Sequence, residues 1–158
     1  MKTGNLGALA LAAATAGLAA CGSTPPPPQA ATPASSLAVG HARLVLGAVK
    51  GNPAAAYFDI TNKSEKLWMI HTAALAGATM TMLHTVGGPN NNGGMGEVLQ
   101  VPVNPGETVH FEPGKLHVMV MDPPATLAPG DKAQLTLGFP GGPTMTFPLE
   151  VRTAGQAS

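Results

Sequence analysis

From residue 51 onward, clusters of glycine, proline and asparagine cut the chain at short intervals, and this punctuation constrains the fold more than any other feature. The clusters are Gly51-Asn52-Pro53, Gly87 to Gly94, Asn104-Pro105-Gly106, Glu112-Pro113-Gly114, Pro129-Gly130-Asp131 and Pro140-Gly141-Gly142-Pro143. Pro-Gly pairs mark turns, and no stretch between these clusters sustains a 3.6-residue period. The intervening runs have strand character: His41–Leu46, Ala55–Thr61, Leu67–Thr72, Thr79–His84, Glu97–Val101, Thr108–Phe111, His117–Met121, Gln134–Phe139 and Thr144–Val151. Short strands at regular spacing predict an all-β sandwich or barrel.

The front of the chain has a different character. Lys2 precedes an apolar stretch from Leu6 to about Ala20, too short for a transmembrane span of about 20 residues and built like an export signal. It ends in Leu18-Ala19-Ala20-Cys21, which looks like a bacterial lipobox. Residues 1–20 are then a lipoprotein signal peptide and Cys21 the lipidation site. Gly22 rather than Asp follows the cysteine, which by analogy with enteric sorting rules favours the outer membrane of a periplasmic location. Residues 21–38 read as a proline-rich linker around the run Pro25–Pro28, extended and semi-rigid. The folded domain is expected over 39–152, with 153–158 a tail.

Composition removes several function classes. Formal charge is zero and no basic run exists, so the footprint of a nucleic-acid binder is missing. Cys21 is the sole cysteine, which leaves the domain without disulfides and excludes a blue-copper His2Cys centre. Charged residues are 10% of the chain, with no nucleophile–base pattern and no paired carboxylates, so an enzyme is not expected. A superoxide dismutase-like site would want His-x-His where this chain has His117-Val118-Met119. Aromatic content is 4%, which predicts a core mostly of Val, Leu, Ile, Ala and Met.

The candidate metal ligands are His84, Met95, His117 and Met119. In 116–121 the side chains alternate between faces: Leu116, Val118 and Val120 should enter the core, while His117, Met119 and Met121 share the other face. Met80, Met82 and His84 share a face in the same way. Met95 follows the Gly- and Asn-rich loop Gly87–Gly94, which places a metal near solvent. Thioethers are soft and uncharged and select Cu(I), and imidazole also suits copper; Mg²⁺ and Ca²⁺ want oxygen. The expected cargo is one Cu(I) per chain. Each residue alone has a plainer reading: a rim histidine, a gap-filling methionine, a polar strand end. Met121 is a possible auxiliary ligand, Met80 and Met82 read as packing residues and His71 as structural. His41 and His110 have no evident partner, and Trp68 could pack in the sandwich or shield the site.

The spacing His-x10-Met-x21-His-x-Met resembles the motif of the PCuAC family of periplasmic copper chaperones. Ala55-Ala56-Tyr57-Phe58 with Ile60-Thr61-Asn62, and Pro113-Gly114 with Leu116-His117-Val118-Met119, are similar to its flanking segments. The chain departs from many members at His84-Thr85-Val86, where they carry another Met, and in its lipid anchor. The resemblance implies a cupredoxin-like Greek-key β-sandwich. It also implies delivery of copper to the dinuclear site of a cytochrome oxidase subunit, alongside a Sco-type assembly protein. A copper-storage or resistance lipoprotein, and a metal-free structural sandwich, are the alternatives.

Overall fold

The computed structural model describes residues 32–87 and 94–156. The signal peptide, Cys21, most of the linker and residues 88–93 of the glycine-rich loop lie outside the described residues. No helix among the described residues is long and apolar enough to cross a membrane.

After a single helical turn α1 (Pro33–Ser36), the chain forms β1 (Leu37–Val45), β2 (Ala54–Asn62), β3 (Trp68–Ile70), β4 (Thr72–Leu75), β5 (Met80–Val86) and β6 (Met95–Glu97). There follow β7 (Val101–Val103), β8 (Thr108–Phe111), β9 (His117–Met121), β10 (Lys132–Gly138) and β11 (Thr144–Arg152), then a 3-10 turn, Ala154–Gln156. The main sheet runs β4-β10-β11-β1-β2-β9-β5-β6, with β8 also pairing β2. Its pairs are antiparallel except β1–β11. The sheet folds back on itself, so that β4 at one end lies against β5 near the other; the Thr81 hydroxyl donates to the Ala73 carbonyl across this seam. A second sheet, β3–β7, completes the all-β, cupredoxin-like sandwich.

Strand alternation builds the core. Along β2, Ala54, Ala56, Phe58, Ile60 and Asn62 are buried, while the residues between them are not. Leu135 and Leu137 of β10, Leu149 of β11, and Val118 and Val120 of β9 meet them from the other strands. The expected Val, Leu, Ile and Ala core is present, but methionine has no place among its buried residues and phenylalanine takes its share. All four phenylalanines and Trp68 are buried, and no methionine among the described residues is. Phe58 stacks on Phe111 at 4.2 Å and meets Phe147 edge-on at 5.1 Å. Few as they are, the aromatics are spent almost wholly inside, where each removes the largest area from water. Trp68 packs edge-on against Phe139 at 5.3 Å and belongs to this core.

Three expected boundaries shift. The run Leu67–Thr72 splits into β3 and β4, which belong to different sheets. The run Glu97–Val101 likewise divides between the ends of β6 and β7. At the front, Ser36 and Leu37 are buried, because α1 and the start of β1 pack on the domain and not in the linker; Leu37 pairs with Asn62.

Asn62 is fully buried and fully satisfied. Its Nδ2 donates to the carbonyls of Lys66 (2.7 Å) and Val103 (2.9 Å), and its Oδ1 accepts from the Ser64 N–H (3.0 Å) and hydroxyl (2.8 Å). It ties the turn after β2 to β7. Asn62→Ala strands several buried partners, and each orphaned group costs about 1–3 kcal/mol. The expected loss is about 3 kcal/mol in urea unfolding; a loss below about 1 kcal/mol would show that water replaces the amide.

Candidate metal centre

The four candidate ligands lie on one face of three adjacent strands, β9, β5 and β6. Antiparallel pairing puts His84 directly opposite His117 and Met82 opposite Met119. On the other side of β5, His84 faces Glu97 and Val86 faces Met95. Since residues two apart share a face, His84, Met95, His117 and Met119 all project to one side. Leu83, Val118 and Val120, their neighbours in sequence, are buried on the other.

The two imidazoles lie edge to face, with ring centroids 5.9 Å apart. His117 is only 5% exposed, so it is not the rim histidine of the plainer reading. Its Nδ1 lies 2.9 Å from the Lys115 carbonyl oxygen. A carbonyl only accepts, so Nδ1 carries the proton and Nε2 keeps its lone pair; this is how a second partner orients a ligating histidine. Tyr57 of β2 walls the same side, its ring centroid 6.2 Å from that of His117, and the Arg43 guanidinium lies 5.2 Å from the Tyr57 ring centroid. Met119 is half-buried on β9. Met95 is 58% exposed, at the mouth of the β5–β6 hairpin, which Gly87 N–H to Gly94 C=O (3.1 Å) closes at its base.

His84 carries the most telling detail. Its Nδ1 is buried with no hydrogen-bond partner among the described residues. Buried polar atoms are nearly always satisfied, so this bare imidazole nitrogen is free to serve as a metal ligand. Burial and, after it, the neighbouring His117 hold the His84 pKa below its ordinary 6.5, against an opposing pull from Glu97. His84 is therefore neutral at pH 7, the form a metal needs.

The sign of the pH effect follows. The unfolded chain binds a proton at His84 near pH 6.5 while the folded chain resists it, so stability from this group is present above pH 6.5 and is lost as pH falls below it. The His84 ring protons, followed by NMR in the apo-protein, should titrate with a midpoint below 6.5; a midpoint at or above it would mean that burial does not govern this ring.

Among the described residues, no group of three His, Cys, Asp or Glu is placed to hold a metal. The two imidazoles and the thioethers on this face are a donor set that fits a soft ion. Met121 lies opposite Met80, next along the face from Met119. His71 is exposed, and its backbone N–H donates to the Gly138 carbonyl (2.9 Å). A cavity of about 430 Å³ lined by Leu46, Val49, Pro124 and Leu127 includes none of these ligand-type residues.

Sequence reasoning left His41 and His110 without partners. Both have one: Asp59 lies 2.7 Å from His41 Nδ1 through Oδ2 and 2.6 Å from His110 Nδ1 through Oδ1. His41 sits at φ 52° where the β1–β2 register slips between Gly40 and Arg43, a bulge that re-aims a side chain. Burial pushes the Asp59 carboxyl up, but the two histidine hydrogen bonds outweigh it and hold the group below its ordinary range. Glu97 and Tyr57, neither singled out as site neighbours, could have been found only from strand register.

The same arrangement of strands recurs in solved PCuAC domains, and the fold is of that class. The apo PCuAC domain from PmoF1 superposes with a TM-score of 0.63 at 19% identity, covering 75% of this chain and 94% of that one. The copper-bound PCuAC domain from PmoF2 gives 0.60 at 18% identity, over 75% and 93%. Cu(I)-bound DR1885 from Deinococcus radiodurans gives 0.55 at 28% identity, over 75% and 81%. The chain itself belongs to the LpqE-like family, which matches residues 36–151 and is described as one of lipoproteins. No curated protein matches the sequence.

Proposed function

We propose that the domain is a non-enzymatic copper carrier that binds one Cu(I) through His84, Met95, His117 and Met119 and hands it to an acceptor protein. The observation that carries this reading is the facing pair His84–His117, with an unpartnered buried nitrogen on one ring and an oriented tautomer on the other. The copper-bound PCuAC relatives support the choice of metal. The two histidines hold the ion from the sheet, and the thioethers complete a neutral, soft donor set. Exposed Met95 is the donor an incoming ligand displaces first, so release proceeds by exchange of one donor at a time.

The lipoprotein description of the family supports export and anchoring through lipid on Cys21, with the linker holding the domain away from an outer-membrane surface on the periplasmic side. In this reading the acceptor is the dinuclear copper site of a cytochrome oxidase subunit, reached with a Sco-type protein. The test has two stages. Anaerobic titration of the protein with Cu(I) against a competing chelator should give one-to-one binding. Mixing the loaded protein with an apo oxidase subunit should move the metal; retention of copper under conditions where transfer is favourable would point to storage instead of delivery.

A further inference from the structure

Five of the chain's eight methionines project from one face of the β9–β5–β6 strands, and the ligand set above uses only two. Met80 lies opposite Met121, and Met82 opposite Met119. These two pairs are successive rungs of the ladder whose next rung is His84–His117. Opposed side chains on such rungs start from Cβ atoms about 4.5–5.5 Å apart, and diagonal ones about 7–8 Å. Both gaps are within the reach of the long, flexible methionine side chain.

Packing does not account for this arrangement. Met80 and Met82 were read as packing residues and Met121 as a possible auxiliary ligand, yet Met80 is 51% exposed and the other two are only partly buried. The core is served from the opposite face of the same strands by Leu83, Val118 and Val120. Three neighbouring thioethers on one ladder, one exposed and two partly buried, have the composition of a soft-metal site.

We propose that Met80, Met82 and Met121 form a second, thioether-only station for Cu(I), one rung from the histidine pair, with Met119 shared between the two. The inference deepens the copper reading and rests on it for the identity of the ion. Such a station makes the face a track: metal arrives at or leaves the histidine site by exchange along Met119, without entering free solution. No group on it loses a proton, so the transfer carries no proton with it.

The test uses Ag(I), a redox-inert stand-in for Cu(I), with the full chain carrying Cys21→Ser so that the lone thiol takes no metal. Methionine methyl signals are followed by NMR as Ag(I) is added. The expected result is two equivalents, the first shifting the Met95 and Met119 methyls and the second shifting those of Met80, Met82 and Met121. The triple variant M80L/M82L/M121L conserves volume and should lose the second equivalent while keeping the first and its circular dichroism. The double variant H84A/H117A should lose the first and keep the second. Saturation at one equivalent with the three methyls unmoved overturns the proposal, as does loss of both equivalents in the histidine variant. If instead the histidine variant keeps both equivalents, the histidine site fails while the thioether station stands.

Discussion

His117→Ala should abolish tight Cu(I) binding and leave the β-sandwich folded. Losing a partner that merely orients a ligand costs roughly 10–100-fold in metal affinity, so losing the ligand itself should cost more, a drop of at least about 10²-fold in competition against a chelator. The fold should survive because His117, though buried, projects from the face of β9 opposite the one from which Val118 and Val120 fill the core. What the fold loses is one hydrogen bond to Lys115, worth about 1 kcal/mol, and the packing of the ring beneath Tyr57. Met119→Leu is the matching control, since it keeps volume and removes only the sulfur. Circular dichroism of the two apo-variants decides the matter: unfolding of either would make these residues part of the core, and wild-type affinity in both would place the metal elsewhere.

The largest loss of stability is expected from Phe58→Ala. Phe58 is fully buried on β2, stacked on Phe111 from β8 and set against Phe147 from β11. It thus ties strands along the main sheet into one aromatic cluster. Truncating a buried phenylalanine costs about 3–5 kcal/mol, and aromatic pairs add about 0.5–1.5 kcal/mol beyond area alone. A loss of about 4 kcal/mol is therefore expected, against a total of about 5–15 kcal/mol for a typical domain. Urea unfolding with an unchanged slope would measure it. A loss under about 1 kcal/mol would mean that the core closes over the gap and that the aromatic cluster is not its centre.

Both predictions rest on alternation, which could be read without coordinates. The residues of β2 and β9 announce their faces because a strand repeats every two residues, and Ala54 to Asn62 and Leu116 to Met121 follow that period closely. The splits at His71 and at Val98–Gln100 were not visible, because a strand that changes sheets keeps its local character and changes only its partner. Alternation also placed Met80 and Met82 on the face of His84; what it did not show is how far that face is left uncovered, with Met80 exposed and Met82 only partly buried.

The chemistry of the site divides along the same line. Residue type alone determined the softness of the donors, the absence of thiolate and carboxylate clusters, the turns, and the two-residue period that aims His117 and Met119 together. These are properties of single residues and near neighbours. Only the tertiary structure decided that His84 stands opposite His117, that its Nδ1 is buried without a partner, that Asp59 holds two histidines 18 and 51 residues away in sequence, and that four methionines form adjacent rungs. Each of these depends on strand register, which is set by how the whole core packs and is written in no local stretch of the chain.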